Sequence, residues 1–445
     1  MVATSNIGHC PGDLRYQIRF ETLQDRFMND RISSIKLDLS PRGNYLGDGS
    51  ARNLAGDALA NALVDARAQT WALVDDLTDA QWMPLVLPGV NPIAWELAHQ
   101  AWFAEFWLLR GPHGLDQDGL TTAKLAPRIG GPDAHLDSTR QPHAQRWHIP
   151  LPDRTALKCM LDEQLAACLQ VLPRHEFASA LQADQALYFH RLALFHEDMH
   201  GEALCWLRSA LGYSQPRGYA LPAVPARSPL CVAGGELWMG STAQADGFAF
   251  DNERPGKPIT LKDFVIDSAP VGALDFAQFV DAGGYQQMQY WPGAAGIWLH
   301  GANQACPSHW RQKPGGSWQM RWFDQWLDLM PGVAAIHLNA YEAEAYCLWS
   351  RRCLPTAAQW ELAARSTPEF CWGHSVWEWT ADAFEPYPGF ACGPYQEYSK
   401  PWFGDHRELR GGAFATQKRM HDARYRNFFL PGRCDIFSGF RTVAR

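Results

Sequence analysis

The chain has 445 residues, about three times a ~150-residue domain, so two or three cores are expected rather than one. Hydrophobic residues make up 47% and charged residues 19%, which excludes global disorder, and no apolar run approaches the ~20 residues of a membrane helix. With 39 basic against 47 acidic side chains and a net charge of -8, the chain has no clustered basic face for nucleic acid.

Residues 1–50 alternate polar and charged residues without sustained periodicity, and Ser40 to Ser50 is rich in turn formers. This segment reads as a tail or extension. Arg15, Arg19 and Arg26 are not followed by an apolar segment and cleavage site, so no secretory signal is expected. From Leu54 to Leu77 apolar residues recur at helical spacing with almost no breaker, which predicts one amphipathic helix. A second opens at Asn91-Pro92, where Asn caps and Pro suits the first turn, and runs to Gly111. A third covers Arg154 to Leu172 and stops before Pro173; a fourth spans Ala183 to Leu211 and stops at Gly212. Four long helices with one long crossover, Gly111 to Asp153, predict a four-helix bundle over residues 51–215. Pro216 to Pro229 is proline-rich and reads as a stiff linker over residues 216–229. Residues 230–445 then show short strand-like runs with frequent Gly, Pro and Trp, interrupted by one clear helix, Leu338 to Arg352. Most of the 20 tryptophans lie in this half, enough to fill a core short of regular structure or to line pockets. The fold class expected is α+β. Eleven cysteines without a C-x-x-C pair argue against a disulfide framework and for a reducing cytoplasm.

The residues that carry chemistry sit on the fourth helix, in LALFHEDMHGEAL. At about 100° per residue, His196 and His200 lie about 40° apart around the axis and one turn apart along it, so both imidazoles face the same way. Neutral imidazole suits iron, copper, nickel or zinc. Asp198 and Glu202 are each rotated by about 200° from the histidine before them, off that ligand face, so a third ligand must come from elsewhere. An interhelical polar contact is the alternative for the histidine pair alone. On the second helix Trp95, His99, Trp102, Phe103 and Phe106 recur at spacings of three and four, an aromatic stripe that must face the bundle interior. A lone histidine there is more often a hydrogen-bonded core residue. With a His pair on a facing helix, metal ligation becomes the better account. Three imidazoles leave open positions on iron for a substrate atom, dioxygen and water; zinc in the same set would support hydrolysis.

The LAH of the second helix and the H-x-x-x-H-x-E of the fourth resemble the iron-binding half of the ergothioneine-type (EgtB-type) sulfoxide synthases. The second half is similar in order as well: GGELWMGS (Gly234 to Ser241), FDNERP (Phe250 to Pro255), AYCLW with LPTAAQWELAAR (Leu354 to Arg365), SVWEWT (Ser375 to Thr380), LRGGAFAT (Leu409 to Thr416), RYRNFF (Arg424 to Phe429) and SGFR (Ser438 to Arg441). The resemblance covers nearly everything from about residue 54 to the end. It implies a DinB-like four-helix bundle followed by a mixed domain like the formylglycine-generating enzymes (sulfatase-modifying factor). It also implies Fe(2+) held by His99, His196 and His200, with dioxygen, hercynine and a sulfur or selenium donor as the small-molecule substrates.

The same resemblance assigns further residues. A catalytic tyrosine is expected after the WEWT segment, as Tyr395 or Tyr398, since a phenol can hand on a proton. Asn427 is expected near the trimethylammonium of hercynine, and Phe428 beside it to offer a π-face. His143 and Arg146 fall where members using γ-glutamyl-cysteine keep donor-binding arginines. Three departures follow: Met199 stands where Gln is frequent, Phe429 stands where γ-glutamyl-cysteine users carry Asp, and His143 replaces the first arginine. A neutral donor fits the loss of those charges, and the sequence looks closest to the selenoneine synthase (SenA-like) branch, which joins hercynine to a selenosugar. Cysteine or γ-glutamyl-cysteine as donor is the alternative. A formylglycine generator is disfavoured, because only Cys434 lies where that enzyme keeps a cysteine pair; a zinc-dependent thiol transferase or a non-catalytic binding protein are the remaining readings.

Overall fold

The structure, a computed structural model, describes residues 50–242 and 247–445. The tail expected over residues 1–50 lies outside these apart from Ser50. The α+β architecture is present: a helical half precedes a half of short strands and short helices.

The long helices are α1 (Gly56–Ala72), α2 (Ile93–Leu109), α3 (Arg154–Val171) and α4 (Ala180–Ala210). Side chains fix two of their starts by accepting from backbone N–H groups that would otherwise be orphaned. Asp153 accepts from the Ala156 N–H at 2.9 Å and Ser179 from that of Gln182 at 3.3 Å. The Ser179 cap explains why α4 begins before the expected Ala183. Helix α2 packs against both α3 and α4, and α1 against α4. Of the 17 residues of α2, 15 are buried, the signature of a helix enclosed on every side. The polar centre of the bundle is the Arg67 guanidinium, which donates to Glu197 at 2.6 Å and to Gln164 at 2.8 Å, tying α1 to α4 and α3.

The crossover after α2 forms a small hairpin, His113–Leu115 with Thr121–Ala123, and then folds back over α2. Glu105 holds it there by accepting the backbone N–H groups of Arg128 at 2.6 Å, of Ile129 at 3.1 Å, and of Gly130. At Gly130 the two backbones touch: a Cβ would sit 2.6 Å from the Trp102 Cα, so only glycine fits.

The segment Pro216 to Pro229 lies along the C-terminal half, with the Val224 N–H bonded to the Gly332 carbonyl at 2.7 Å and Tyr219 edge-on to Phe414. Beyond it, one sheet runs in the order Arg352–Cys353, Val443–Ala444, Phe264–Asp267, Pro229–Val232, and another in the order Asn427–Phe429, Arg407–Arg410, Trp377–Ala383, Ser438–Gly439. The expectation of one clear helix here is corrected. The described residues hold Ala273–Asp281, Ala294–Ala302 and Ala357–Ser366 as well as Ala340–Trp349. Helices of nine or ten residues show the periodic pattern for under three turns, too short to stand out among Gly and Trp. Their ends are set by caps, as where Asn339 and Glu342 bond reciprocally across the first turn.

Buried ion pairs lock the short strands together. Arg441 donates to Glu378 at 2.7 Å, Arg410 to Glu408 at 2.6 Å, and Arg426 to Glu408 at 2.7 Å. The two halves are joined through the face of α4 opposite its histidines. Glu202 accepts from the Trp377 indole at 2.6 Å and from the Thr416 hydroxyl at 2.7 Å. Arg419 forks onto Asp198 at 2.7 and 2.8 Å and reaches Asp65 at 2.6 Å.

Candidate metal centre

His196 and His200 sit one turn apart on α4, and α2 presents His99 to them from the facing side. Their possible ligand atoms all lie within 4.8 Å of one another. His99 and His196 are buried and His200 is partly exposed. The rings are clamped by aromatics: Trp95 stacks on His99 with centroids 4.8 Å apart and planes 8° apart, and Phe103 stacks on His196 at 3.4 Å and 3°.

Hydrogen bonds fix two of the tautomers. The Leu136 carbonyl can only accept, so His99 Nδ1–H donates to it, at 2.6 Å. The Glu96 carboxylate accepts from His200 Nδ1–H at 2.5 Å. Both rings therefore turn an Nε2 lone pair inward. His200 Nε2 lies 3.2 Å from His196 Nε2, close to the ~3.0 Å that separates two adjacent imidazole ligands bound at about 2.1 Å to one ion. Lone pairs converging at this distance repel unless a cation or proton lies between them, and the outer-face acceptors are those that metal-ligating histidines use. The donor set thus fits a divalent transition metal.

The electrostatics agree with neutral rings at His99 and His196. Burial, with His200 close by, pushes His99 down to about 3, and burial with both other rings pushes His196 well below its usual range. Burial alone would raise the Glu96 carboxyl, but His200 and the Asn91 amide hold it down to about 2. Glu96 was not singled out from the sequence. Its signal was an acid within an otherwise apolar face, three residues before His99.

The other residues singled out in the sequence lie around this centre at different depths. The Tyr398 hydroxyl points at the Met199 sulfur, 3.7 Å away, and lies 3.1 Å from the Tyr425 hydroxyl. Tyr425 in turn reaches the same sulfur at 3.4 Å. Burial raises both phenols well above the ordinary range. Tyr425 was missed in the sequence although it stands within the RYRNFF motif. Tyr395 presents its ring edge to Phe103 at 5.1 Å and, with His99, Trp102, Asp137 and Glu397, lines a narrow cleft. Phe428 stacks on Phe384 at 4.1 Å and meets Tyr398 edge-on, so one of its faces is taken by protein. Asn427 accepts from the Phe428 N–H. His143 Nε2 donates to the Val90 carbonyl at 2.7 Å. Arg146 donates to Asn91 at 2.8 Å and lies over the Trp95 ring at 4.0 Å. Phe429 is covered by the Arg433 guanidinium at 4.6 Å, which also packs on Trp206.

Comparison with known proteins locates this arrangement. Residues 62–204 match the DinB superfamily, and residues 220–376 and 373–445 match the sulfatase-modifying factor enzyme 1-like domain. Across 437 residues the chain is 30% identical to the hercynine oxygenase of Mycolicibacterium thermoresistibile, covering 86% of this chain and 94% of that protein. The hercynine oxygenase of Mycobacterium tuberculosis is also 30% identical, over 86% of this chain and 98% of its own length. The chain belongs to the hercynine oxygenase family. It is an oxidoreductase of the two-part, EgtB-like kind. The formylglycine-generating enzyme of Mycobacterium tuberculosis is 31% identical over 170 residues, 32% of this chain and 53% of that enzyme. In this hercynine oxygenase family member the three histidines fall within the DinB match, whereas Tyr395, Tyr398, Tyr425 and Asn427 fall within the sulfatase-modifying-factor match. No helix among the described residues is long and apolar enough to cross a membrane.

Proposed function

We propose that the chain is a non-haem iron(II) enzyme that uses dioxygen to join a selenosugar to the imidazole carbon of hercynine, in the biosynthesis of selenoneine. The observation that carries the iron reading is the convergence of two tautomer-fixed Nε2 atoms and a third imidazole in a wall of aromatic rings. His99, His196 and His200 would hold the ion, and iron bound there supplies the activation of dioxygen that carbon-chalcogen bond formation requires. Around it, Glu96 and the Leu136 carbonyl orient the rings, while Trp95, Trp102 and Phe103 exclude water. Tyr398 holds a proton at its Oη 3.7 Å from the Met199 sulfur and is our choice over Tyr395, which packs against Phe103 and lines the cleft at His99.

The donor reading is supported by how charge is spent at the positions named for it. His143 bonds a backbone carbonyl, Arg146 is committed to Asn91 and the Trp95 face, and Phe429 carries no charge. A polyhydroxyl donor needs hydrogen bonds and stacking rather than an ion-paired clamp. A second reading, a sulfoxide synthase taking cysteine or γ-glutamyl-cysteine, is favoured by the 30% identity to hercynine oxygenases over most of the chain. The ten free cysteines among the described residues suit a reducing cytoplasm.

Competition settles the choice. Iron-loaded protein is given hercynine, dioxygen and equimolar selenosugar, cysteine and γ-glutamyl-cysteine, with oxygen uptake and product masses as readouts. A selenium-containing adduct should dominate. A dominant sulfoxide overturns the donor assignment, and absence of hercynine-dependent uptake with every donor overturns the enzyme reading.

A further inference from the structure

Behind the histidines one cation gathers the supports of two of them. The Arg146 guanidinium donates from Nη1 to the Asn91 side-chain oxygen at 2.8 Å, and the Asn91 amide nitrogen donates to Glu96 Oε1 at 2.6 Å. The other Glu96 oxygen takes the His200 Nδ1–H at 2.5 Å. A guanidinium can only donate, so Arg146 decides which way the Asn91 amide points: oxygen to the arginine, nitrogen to the carboxylate. Turned round, the amide would set its oxygen against the carboxylate that steadies His200. Glu96 is buried, so a lost donor there is not made good by bulk water. Arg146 also lies over the Trp95 ring at 4.0 Å, and Trp95 stacks on His99. Its Nη2 bonds the crossover weakly, at the Ser138 and Gln141 carbonyls 3.3 and 3.4 Å away. Those carbonyls closely follow the Leu136 carbonyl that accepts from His99, and the Trp95 indole ties the same stretch at the His135 carbonyl. Burial works against the Arg146 charge, and Glu96 is the acid that offsets it.

We infer that Arg146 is a positioning residue for the metal ligands, in place of the donor-binding part that the resemblance gives it: it orients the Asn91 amide that holds Glu96 behind His200, and it packs on the ring that backs His99. The inference rests on the reading of the three histidines as ligands. A donor carboxylate could use this guanidinium only by drawing it away from Asn91 and Trp95, which would loosen the ligands at the moment of donor binding.

The test is a double-mutant cycle of Arg146→Ala and Asn91→Ala with Co2+ as the probe. Its affinity is read by chelator competition and the geometry of its ligands by its visible absorption bands. Circular dichroism of the metal-free protein checks that the bundle is kept. Each single change should weaken Co2+ binding roughly tenfold, the low end for a group that orients a ligand, and should shift the bands, with helical content at the wild-type value. The double variant should lose less than the product of the two singles, because both act on Glu96. Wild-type affinity and bands in Arg146→Ala, or losses that multiply, overturn the inference and leave the three-histidine reading standing. The same holds if Arg146→Ala raises KM for the donor while the metal readouts stay put. A His200→Ala protein that binds Co2+ as the wild type does overturns the ligand reading, and the inference with it.

Discussion

The two halves of the molecule place their working groups by different means. The helical half sets three imidazoles by period: a one-turn spacing on α4, an aromatic stripe on α2, and two outward hydrogen bonds that fix the tautomers. The C-terminal half has no long element to do this. It holds its tyrosines on loops and short strands pinned by buried ion pairs, such as those of Glu408 with Arg410 and Arg426. Precision in the first half comes from backbone regularity, and in the second from desolvated charges that leave each strand one low-energy position.

The contrast can be broken at either end. The largest effect is expected for Glu408→Ala, which leaves the buried Arg426 guanidinium with backbone carbonyls alone and Arg410 with Glu361 as its one carboxylate among the described residues. Stability in urea should fall by about 3–5 kcal/mol, and a loss under 1 kcal/mol would show the ion pairs to be dispensable. His99→Ala should weaken metal binding roughly 10²- to 10³-fold, about one ligand's share of a structural site, with helical content unchanged by circular dichroism. Full metal content in that variant would remove His99 from the ligand set.

Glu342 offers a pH test inside the second half. Burial raises its carboxyl from 4.5 to about 7, so the folded state holds a proton that the unfolded chain releases. Its contribution is present below about pH 4.5 and is lost as pH rises through about 7, up to about 3 kcal/mol. The thermal midpoint should therefore drop between pH 5 and pH 8, and Glu342→Gln, which keeps a neutral cap, should flatten that drop. An unchanged pH slope in the variant assigns the dependence to other groups. The smallest effect is expected for Glu96→Gln, which loosens the His200 ring and should cost 10- to 100-fold in metal affinity, read by chelator competition.

The same contrast explains what could be read from the sequence. The four long helices and the shared face of His196 and His200 were legible because 3.6-residue periodicity survives over many turns. The reading that Asp198 and Glu202 lie off that face was also legible, but their use in joining the two halves was not, since Trp377, Thr416 and Arg419 lie about 180 to 220 residues away. Glu96 and Tyr425 were hidden for a related reason: each is marked out only by a hydrogen bond to a residue that folding brings near. The short helices at Ala273, Ala294 and Ala357 were missed because nine or ten residues do not establish a period. Phe428, singled out for its π-face, has Phe384 stacked on one side, a neighbour 44 positions earlier that no local pattern announces.

The pass of Gly130 over Trp102 bears on how this scaffold could be re-engineered. The loop from Gly130 to Leu136 has its near end pressed against the second helix and its far end delivering the acceptor for a ligand ring, so its length works as a ruler. Insertions belong instead at the solvent-facing hairpin tip around Asp118 and Gly119, outside the span that sets this length.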